Sequence, residues 1–180
     1  MRKVILNLAM SLDGFIEGKN GEIDWCIMDE DMLFGEFLDS VDTLFYGRVS
    51  YDAWGNYQPE QNASEIDKQL WESVHSKDKY VFSSQIREDK NALFISSDII
   101  NEVNKIKNKQ GKDIWLYGGA NLIKTFIQLD LIDEYKISIH PIVLGEGKPL
   151  FESVKDRISL KLTDSRAFKC GVVELTYVSV

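Results

Sequence analysis

An apolar run that stops at a glycine pair is the feature that most constrains the fold of this chain. The run from Trp115 to Tyr117 leads into Gly118-Gly119, and an amphipathic segment begins directly afterwards. This order predicts a buried strand, a tight turn and the N-terminus of a helix. The junction favours a phosphate, because it presents backbone N–H groups and the positive end of a helix dipole without a Cβ in the way. The residues predicted to form this site are Tyr117, Gly118, Gly119, Ala120, Asn121 and Leu122.

Strand patterns recur along the chain, with helix patterns between them. The strands are expected at residues 3–10, 42–46, 79–84, Leu93–Ile95, 113–117 and 135–140. Two closing segments, 158–162 and 172–180, alternate apolar and polar residues and predict an antiparallel pair. The chain is therefore predicted to form one α/β domain over residues 1–180, with a mostly parallel central sheet, flanking helices and an antiparallel C-terminal strand pair.

The helices are predicted from the spacing of apolar residues and from their caps. One helix is expected after Trp25, with Leu33, Phe34, Phe37, Leu38 and Val41 on one side. A second is expected after an N-cap at Ser64, with Ile66, Leu70, Trp71 and Val74 on its apolar face. A third is expected after a cap at Asp98, with Ile99, Ile100, Val103 and Ile106 directed inward.

Charge and composition exclude several classes of function. The net charge of −8 at pH 7, without a clustered basic surface, argues against a nucleic-acid partner. No apolar run approaches the length of a membrane span, so no membrane partner is expected. Cys26 and Cys170 lie far apart, which indicates reduced thiols and a cytoplasmic protein. His75 and His140 have no other metal-ligating residues at ligand spacing, so no metal site is predicted.

Three predicted strand ends carry groups that bind phosphate. In an open α/β sheet, ligands bind outside the carboxyl ends of the strands. Arg48 suits a ribose 2′-phosphate because its planar guanidinium donates two hydrogen bonds to one phosphate. A GxGxxG motif is missing, so a dinucleotide site would collect its contacts from several strand ends rather than from one loop. Besides the glycine pair, the residues at these ends are Gly47, Arg48, Val49, Ser50, Ser83 and Ser84.

Five motifs in the same order resemble a known superfamily. They are Ser11-Leu12-Asp13-Gly14-Phe15-Ile16, Asp24-Trp25, residues 42–51, Tyr117-Gly118-Gly119-Ala120, and residues 131–135 continuing through 140–151. The pattern resembles the dihydrofolate reductase-like superfamily. Within it, the chain is similar to the group that includes the C-terminal reductase domain of the riboflavin-biosynthesis bifunctional deaminase-reductase. The resemblance spans nearly the whole chain.

The resemblance implies an NADPH-dependent reductase that transfers hydride to a small-molecule heterocycle. The substrate would be pterin-like, as for dihydrofolate reductases, or pyrimidine-like, as for 5-amino-6-(5-phosphoribosylamino)uracil reductases. Matching positions place Ala9 and Ile16 near the nicotinamide, the residues from Gly47 to Ser50 with Ser83 and Ser84 around the adenosine phosphates, and the glycine pair at the pyrophosphate. Residues 13–25 would be a loop that closes over the nicotinamide. The resembling group also implies a possible homodimer through the C-terminal sheet.

A reductase of this kind also needs a proton donor. The resemblance places a carboxylic acid on the helix after the Trp, where Glu30 has the matching offset from Trp25 and Asp31 is the second choice. A carboxyl among apolar neighbours has a raised pKa and can transfer a proton near neutral pH. The alternative is that the acidic residues there only complement the helix dipole.

Two departures from the riboflavin enzyme concern the substrate. That reductase has Glu before its Gly-Gly, where this chain has Tyr117, and a Trp-Ile-Thr-Ser type segment where this chain has Trp25-Cys26-Ile27-Met28. Both departures argue against the riboflavin precursor as substrate. Two other functions stay open at this point: a flavin or quinone-type reductase with the same cofactor site, and a non-catalytic NADPH-binding protein of the same fold.

Overall fold

The computed structural model describes residues 1–152 and 154–180, with the side chains of all of these except residues 30 and 66. The strands are β1 (Val4–Ser11), β2 (Phe15–Glu17), β3 (Val41–Gly47), β4 (Asp78–Phe82), β5 (Leu93–Ile95), β6 (Asp113–Gly118), β7 (Glu134–His140), β8 (Lys148–Pro149), β9 (Leu160–Ala167) and β10 (Val173–Ser179). The α-helices are α1 (Phe34–Ser40), α2 (Arg48–Trp54), α3 (Glu65–His75), α4 (Ile99–Lys107) and α5 (Ala120–Gln128), and a 3₁₀ turn spans Glu30–Met32.

Eight of the strands form one twisted sheet in the order β5-β4-β3-β6-β1-β7-β10-β9. The strands from β5 to β7 pair in parallel, whereas β10 is antiparallel to both β7 and β9. The predicted mostly parallel sheet with an antiparallel C-terminal pair is therefore confirmed. The remaining strands, β2 and β8, pair with each other in a separate two-stranded sheet.

The sheet is buried on both faces, and each face has its own apolar cluster. Val4 and Leu6 of β1 belong to the main cluster with α4 and α5, while Ile5 between them belongs to a second cluster with α1 and α2. This follows from the alternation of side chains along a strand. Near-continuous apolar strands such as Leu44-Phe45-Tyr46 are typical of parallel sheets covered on both sides.

The helix predicted after Trp25 is shorter and later than expected. Leu33 has a left-handed backbone with φ of 55° and is 39% exposed, so it separates the 3₁₀ turn from α1. The prediction that placed Leu33 on the inner face of one continuous helix is wrong. Val41, also predicted on that helix, is the first residue of β3. The break means that Glu30 does not lie one regular helical turn before Phe34.

Two other helix starts test the cap predictions. Ser64 caps α3 as expected, because its hydroxyl accepts the backbone N–H of Asp67 at 3.0 Å. Asp98 precedes α4, but the prediction of a cap there is wrong in its chemistry. The Asp98 carboxylate accepts hydrogen bonds from the Asn101 side-chain amide, not from a backbone N–H of the helix. Ile100, predicted to face inward, is 46% exposed.

One helix and two short strands were not predicted. Helix α2 follows β3 without a loop, and its seven residues are too few for a clear helical pattern. Strands β2 and β8 contribute only three and two residues to their sheet. All three contribute residues to the site described below.

Tyr46→Phe tests an unusual feature of the second cluster. The Tyr46 hydroxyl is buried and has no hydrogen-bond partner among the described residues. Since an unpartnered buried polar group is destabilising by about 1–3 kcal/mol, we expect Tyr46→Phe to raise the free energy of unfolding by up to about 1 kcal/mol. Urea denaturation followed by circular dichroism measures the change.

The matched control is Tyr51→Phe. The Tyr51 hydroxyl is also in this cluster but donates to the Asp89 carboxylate at 2.9 Å. Its removal is expected to lower the free energy of unfolding by about 1 kcal/mol. Equal destabilisation by both variants would contradict the assignment of an unpartnered hydroxyl at Tyr46.

Candidate functional site

A cavity of about 440 Å³ opens at the carboxyl edge of the sheet, where β3, β4 and β6 end. Its volume lies in the range of pockets that bind small molecules. The three strand ends named from the sequence all contribute to its wall. The predicted residues that line it are Gly47, Arg48, Val49, Ser50, Ser83, Ser84, Gly119, Ala120, Asn121 and Leu122.

The cavity exists because two neighbouring strands send their helices to opposite faces of the sheet. Strands β3 and β6 are adjacent and parallel. Helix α2 follows β3 and packs through Tyr51 in the second cluster, whereas α5 follows β6 and packs through Leu122 and Ile123 in the main cluster. A crevice between diverging helices at the carboxyl edge is the usual ligand position in open α/β sheets.

Two glycines let the strand ends lie close together. A Cβ on Gly119 would lie 2.7 Å from the Ser50 hydroxyl oxygen, and one on Gly47 would lie 3.3 Å from the Gly119 nitrogen. Helix α5 begins at Ala120 without a side-chain cap, so its first N–H groups are available at the cavity wall. A bare backbone cradle at the N-terminus of a helix suits a phosphate group.

Arg48, one of two cations in the described cavity wall, is held by its own helix. The Arg48 guanidinium lies 2.9 Å from the Asp52 carboxylate one turn along α2. Arg87 pairs with the other oxygen of Asp52 at 2.8 Å. A guanidinium has five N–H donors, so Arg48 has the capacity to bind a phosphate while it keeps its contact with Asp52.

Four of the residues predicted at the cofactor lie outside the described cavity wall. Gly118 is the last residue of β6, and Ile16 of β2 packs against the main cluster. Ala9 lies in β1 opposite Ser138 of β7. Tyr117 points to the other face of the sheet, where its ring lies 4.6 Å from the ring of Tyr46, and burial raises the pKa of its hydroxyl.

The cavity wall also contains residues that the sequence did not single out. Ser96 follows β5 just as Ser83 follows β4, so the strand-end argument was able to find it. Thr125 lies one turn beyond Asn121 in α5, and its hydroxyl donates to the Asn121 carbonyl at 2.9 Å. The full set of residues that were missed is Glu17, Phe82, Ile95, Ser96, Ile99, Thr125 and Lys148.

The first part of the loop expected to close over the nicotinamide is hydrogen-bonded to residues 142–150. The Asp13 carboxylate accepts the backbone N–H groups of Leu144 at 3.1 Å and Gly145 at 2.7 Å. Leu12 donates to the Ile142 carbonyl at 2.8 Å, and β2 pairs with β8. Residues 12–17 therefore form one unit with residues 142–150, which we call the flap.

The next part of that loop is held by His140. The His140 ring is 1% exposed and packs edge-on against Trp25, with 5.5 Å between ring centroids. The Ile27 N–H donates to Nδ1 of His140 at 3.2 Å, which requires this nitrogen to be unprotonated. Burial lowers the pKa of His140, in agreement with that hydrogen bond.

The predicted acidic residues lie just beyond this contact. The backbone of Glu30 begins the 3₁₀ turn, and its side chain lies outside the described residues. Asp31 is exposed, and its backbone N–H donates to the Asp29 carboxylate at 2.9 Å. The backbone of both candidates therefore follows directly after the segment that contacts His140.

Among the described residues, the cysteines and the other metal-ligating side chains form no metal cluster. Cys26 and Cys170 are free, and burial raises the pKa of the Cys26 thiol to about 11. Within residues 1–152 and 154–180, no cluster of three or more His, Cys, Asp or Glu side chains has the arrangement of a metal site. No helix in that part of the chain combines the length and apolar character needed to cross a membrane.

Comparison with known proteins decides the family. Residues 2–174 match the model of the RibD C-terminal domain. The chain belongs to the RibD C-terminal domain family. The uncharacterized protein YyaP of Bacillus subtilis (strain 168) is 59% identical over 177 residues, which cover 98% of this chain and 94% of that protein.

Solved structures agree with the fold. A presumed riboflavin biosynthesis protein from Shewanella sp. PV-4 superposes with a TM-score of 0.80 at 24% identity and covers 99% of both chains. Dihydrofolate reductase from Enterococcus faecalis, complexed with NADP(H), superposes with a TM-score of 0.67 at 17% identity, over 98% of this chain and 96% of that one. The chain thus has the dihydrofolate reductase-like fold of the RibD reductase domain, as the sequence motifs indicated.

His140→Gln is expected to change how stability depends on pH. The ordinary pKa of histidine is 6.5, and the folded pKa of His140 is lower. Between these values the unfolded chain binds the extra proton, so the fold loses stability as the pH falls below about 6.5. Gln keeps an acceptor for the Ile27 N–H but has no proton to bind. Urea unfolding from pH 8 to pH 5 should show a smaller loss in the variant, and parallel curves would contradict this role of His140.

Proposed function

We propose that this protein is an NADPH-dependent reductase that transfers hydride to a pterin-like or pyrimidine-like heterocycle. The observation that carries the proposal is the single cavity into which Gly47–Ser50, Ser83-Ser84 and the Gly119 turn all open. These segments are far apart in sequence and meet at the switch point of the sheet. Membership in the RibD C-terminal domain family supports the same class of reaction.

The residues of the cavity have distinct roles in this proposal. The Gly119 cradle and the N-terminus of α5 hold the pyrophosphate. Arg48, with the hydroxyls of Ser50, Ser83 and Ser84, holds the 2′-phosphate of the adenosine ribose. When bound, NADPH supplies the hydride. The chain's own task is to orient the dinucleotide across the ends of β3 and β6 and to keep water from the reacting atoms.

The heterocycle is proposed to bind on the face of the sheet that carries the second cluster. Along the carboxyl half of that face, Asn7 lies next to Lys136, and Ala9 lies next to Ser138. The Tyr117 ring is on the same face. An aromatic ring together with amide and hydroxyl groups suits a planar heterocycle, because it offers a packing surface and hydrogen-bonding groups for the ring edges.

The acidic segment completes the proposal. Glu30 or Asp31 delivers the proton that must accompany the hydride. The two lie in the 3₁₀ turn between the His140 contact and α1, and α1 packs through Phe34 and Phe37 against Trp115. The turn is therefore anchored on both sides.

A cofactor titration tests the proposal directly. We expect NADPH to bind with a micromolar dissociation constant and NADH to bind much more weakly, measured by nicotinamide fluorescence. In Arg48→Met, the lost charge-assisted hydrogen bonds, each worth about 1.5–3 kcal/mol, should weaken NADPH binding by about tenfold or more and change NADH binding little.

Arg87→Met is the matched control for that titration. Arg87 pairs with the same Asp52 carboxylate as Arg48 but is not among the described residues that line the cavity. Its removal should leave the preference for NADPH over NADH in place. Failure of the wild-type protein to bind either dinucleotide would refute the reductase proposal.

A second experiment tests the proton donor. The variant with both Glu30→Gln and Asp31→Asn is expected to retain NADPH binding and to lose at least about a hundredfold in turnover, within the range for general acid catalysis. Turnover is measured by NADPH oxidation with dihydrofolate or the riboflavin precursor as oxidant. Asp29→Asn removes a carboxylate from the same segment and should retain turnover. Unchanged turnover in the double variant would exclude both residues as the donor.

A further inference from the structure

The wall of the cavity contains a pair of opposite charges outside the predicted strand ends. Glu17 belongs to β2 and Lys148 to β8, and both line the cavity. The Lys148 ammonium nitrogen lies 3.5 Å from a carboxylate oxygen of Glu17. The Glu17 side chain is 33% exposed and the Lys148 side chain is 44% exposed, so the pair lies at the mouth of the cavity.

Lys148 and Arg48 contribute to the cavity from different parts of the fold. The sheet order places β4 and β5 on one side of β3 and β6, and β1 on the other. Arg48 follows β3 and lies with Ser83 and Ser96, which follow β4 and β5. Lys148 comes from the flap, whose two segments follow β1 and its neighbour β7. The Gly119 turn at the end of β6 therefore lies between the two sources of positive charge.

The backbone holds Lys148 at this place. Glu17 and Lys148 are direct partners in the β2–β8 pairing. A Cβ on Gly147 would collide with the Glu17 carbonyl oxygen, so glycine is needed for the two strands to approach. On the other side of β8, Leu150 donates to the Gly14 carbonyl at 3.0 Å. The cation is thus delivered by an antiparallel strand pair and not by a free surface loop.

The present ion pair is weak enough to be exchanged. A partly exposed Lys–Glu pair contributes little to stability, because solvent screens the charges. A pyrophosphate carries two negative charges and binds an ammonium group in place of a carboxylate. The Glu17 carboxylate would then stand beside those charges and repel them.

We propose that Lys148 binds the pyrophosphate of the dinucleotide and that Glu17 opposes this binding. Lys148 has this role only if the cavity binds a dinucleotide, as proposed above. Because NADPH and NADH share the pyrophosphate, Lys148 acts equally on both. Arg48, in contrast, acts on the 2′-phosphate that only NADPH carries.

The test is the dissociation constant of NADPH and of NADH for Lys148→Met, followed by nicotinamide fluorescence. Both constants should rise by the same factor, about fivefold to tenfold for the loss of one charged contact. The increase should shrink at high ionic strength, where the wild-type contact is screened. Lys148→Arg keeps the charge and should stay within about twofold of wild type.

Two further variants sharpen the test. Glu17→Gln removes the opposing charge and should tighten the binding of both dinucleotides by about twofold or more. Lys19→Met is the matched control, since Lys19 pairs with Glu146 at 3.1 Å near the same strand pair but does not line the described cavity. It should leave both constants unchanged.

The outcomes separate this inference from the proposed function. If wild type binds the dinucleotides and Lys148→Met binds them equally well, Lys148 only pairs with Glu17 and the inference is wrong. If Lys148→Met weakens NADPH alone, the cation serves the 2′-phosphate and the pyrophosphate assignment is wrong. If wild type binds neither dinucleotide, the function and the inference both fail. Thermal unfolding of each variant shows that a change in binding does not come from a loss of the fold.

Discussion

The carboxyl edge of the sheet depends on a close backbone contact between Gly47 and Gly119, at the ends of two neighbouring strands. A Cβ on either residue would meet the other strand end or the Ser50 hydroxyl within 3.3 Å. Because both lack one, β3 and β6 stay side by side to their last residues. Helices α2 and α5 can then leave from almost the same place toward opposite faces. The cavity is the space between these diverging helices.

The ends of the same two strands place the cavity next to a packed aromatic surface. Tyr46 precedes Gly47 and Tyr117 precedes the glycine pair, and their rings lie 4.6 Å apart on the face of the second cluster. Phe45, one residue earlier in β3, lies in the main cluster under α5. Strand alternation therefore places the cavity wall and a packed aromatic surface within a few residues of each other. A hydride transfer between a dinucleotide and a planar heterocycle requires this proximity.

Sequence reasoning succeeded where the signal was local. Each strand end with its Gly, Arg or Ser was visible in a few consecutive residues, and parallel pairing brought those ends together. The Gly-Gly turn predicted the start of α5 for the same reason.

Sequence reasoning failed where tertiary contacts decide the structure. Leu33 reads as an apolar helix position, yet its left-handed backbone ends the 3₁₀ turn, and no local signal marks this conformation. Tyr117 adjoins the glycine pair in sequence, but strand alternation turns it to the other face. Lys148 reaches the cavity only through its pairing with Glu17, 131 residues away. A lysine at that position does not indicate a binding site until the pairing of β2 with β8 is known.

The fastening of the flap has a mechanical consequence. Leu12 and Leu150 each donate a hydrogen bond across it, and Asp13 accepts two more. All four bonds would have to break before the two segments could part. Residues 12–17 therefore cannot swing away from the sheet and leave β8 behind. A displacement of either segment also moves the other. The Lys148 ammonium group at the cavity mouth and the chain leading to Trp25 therefore move together.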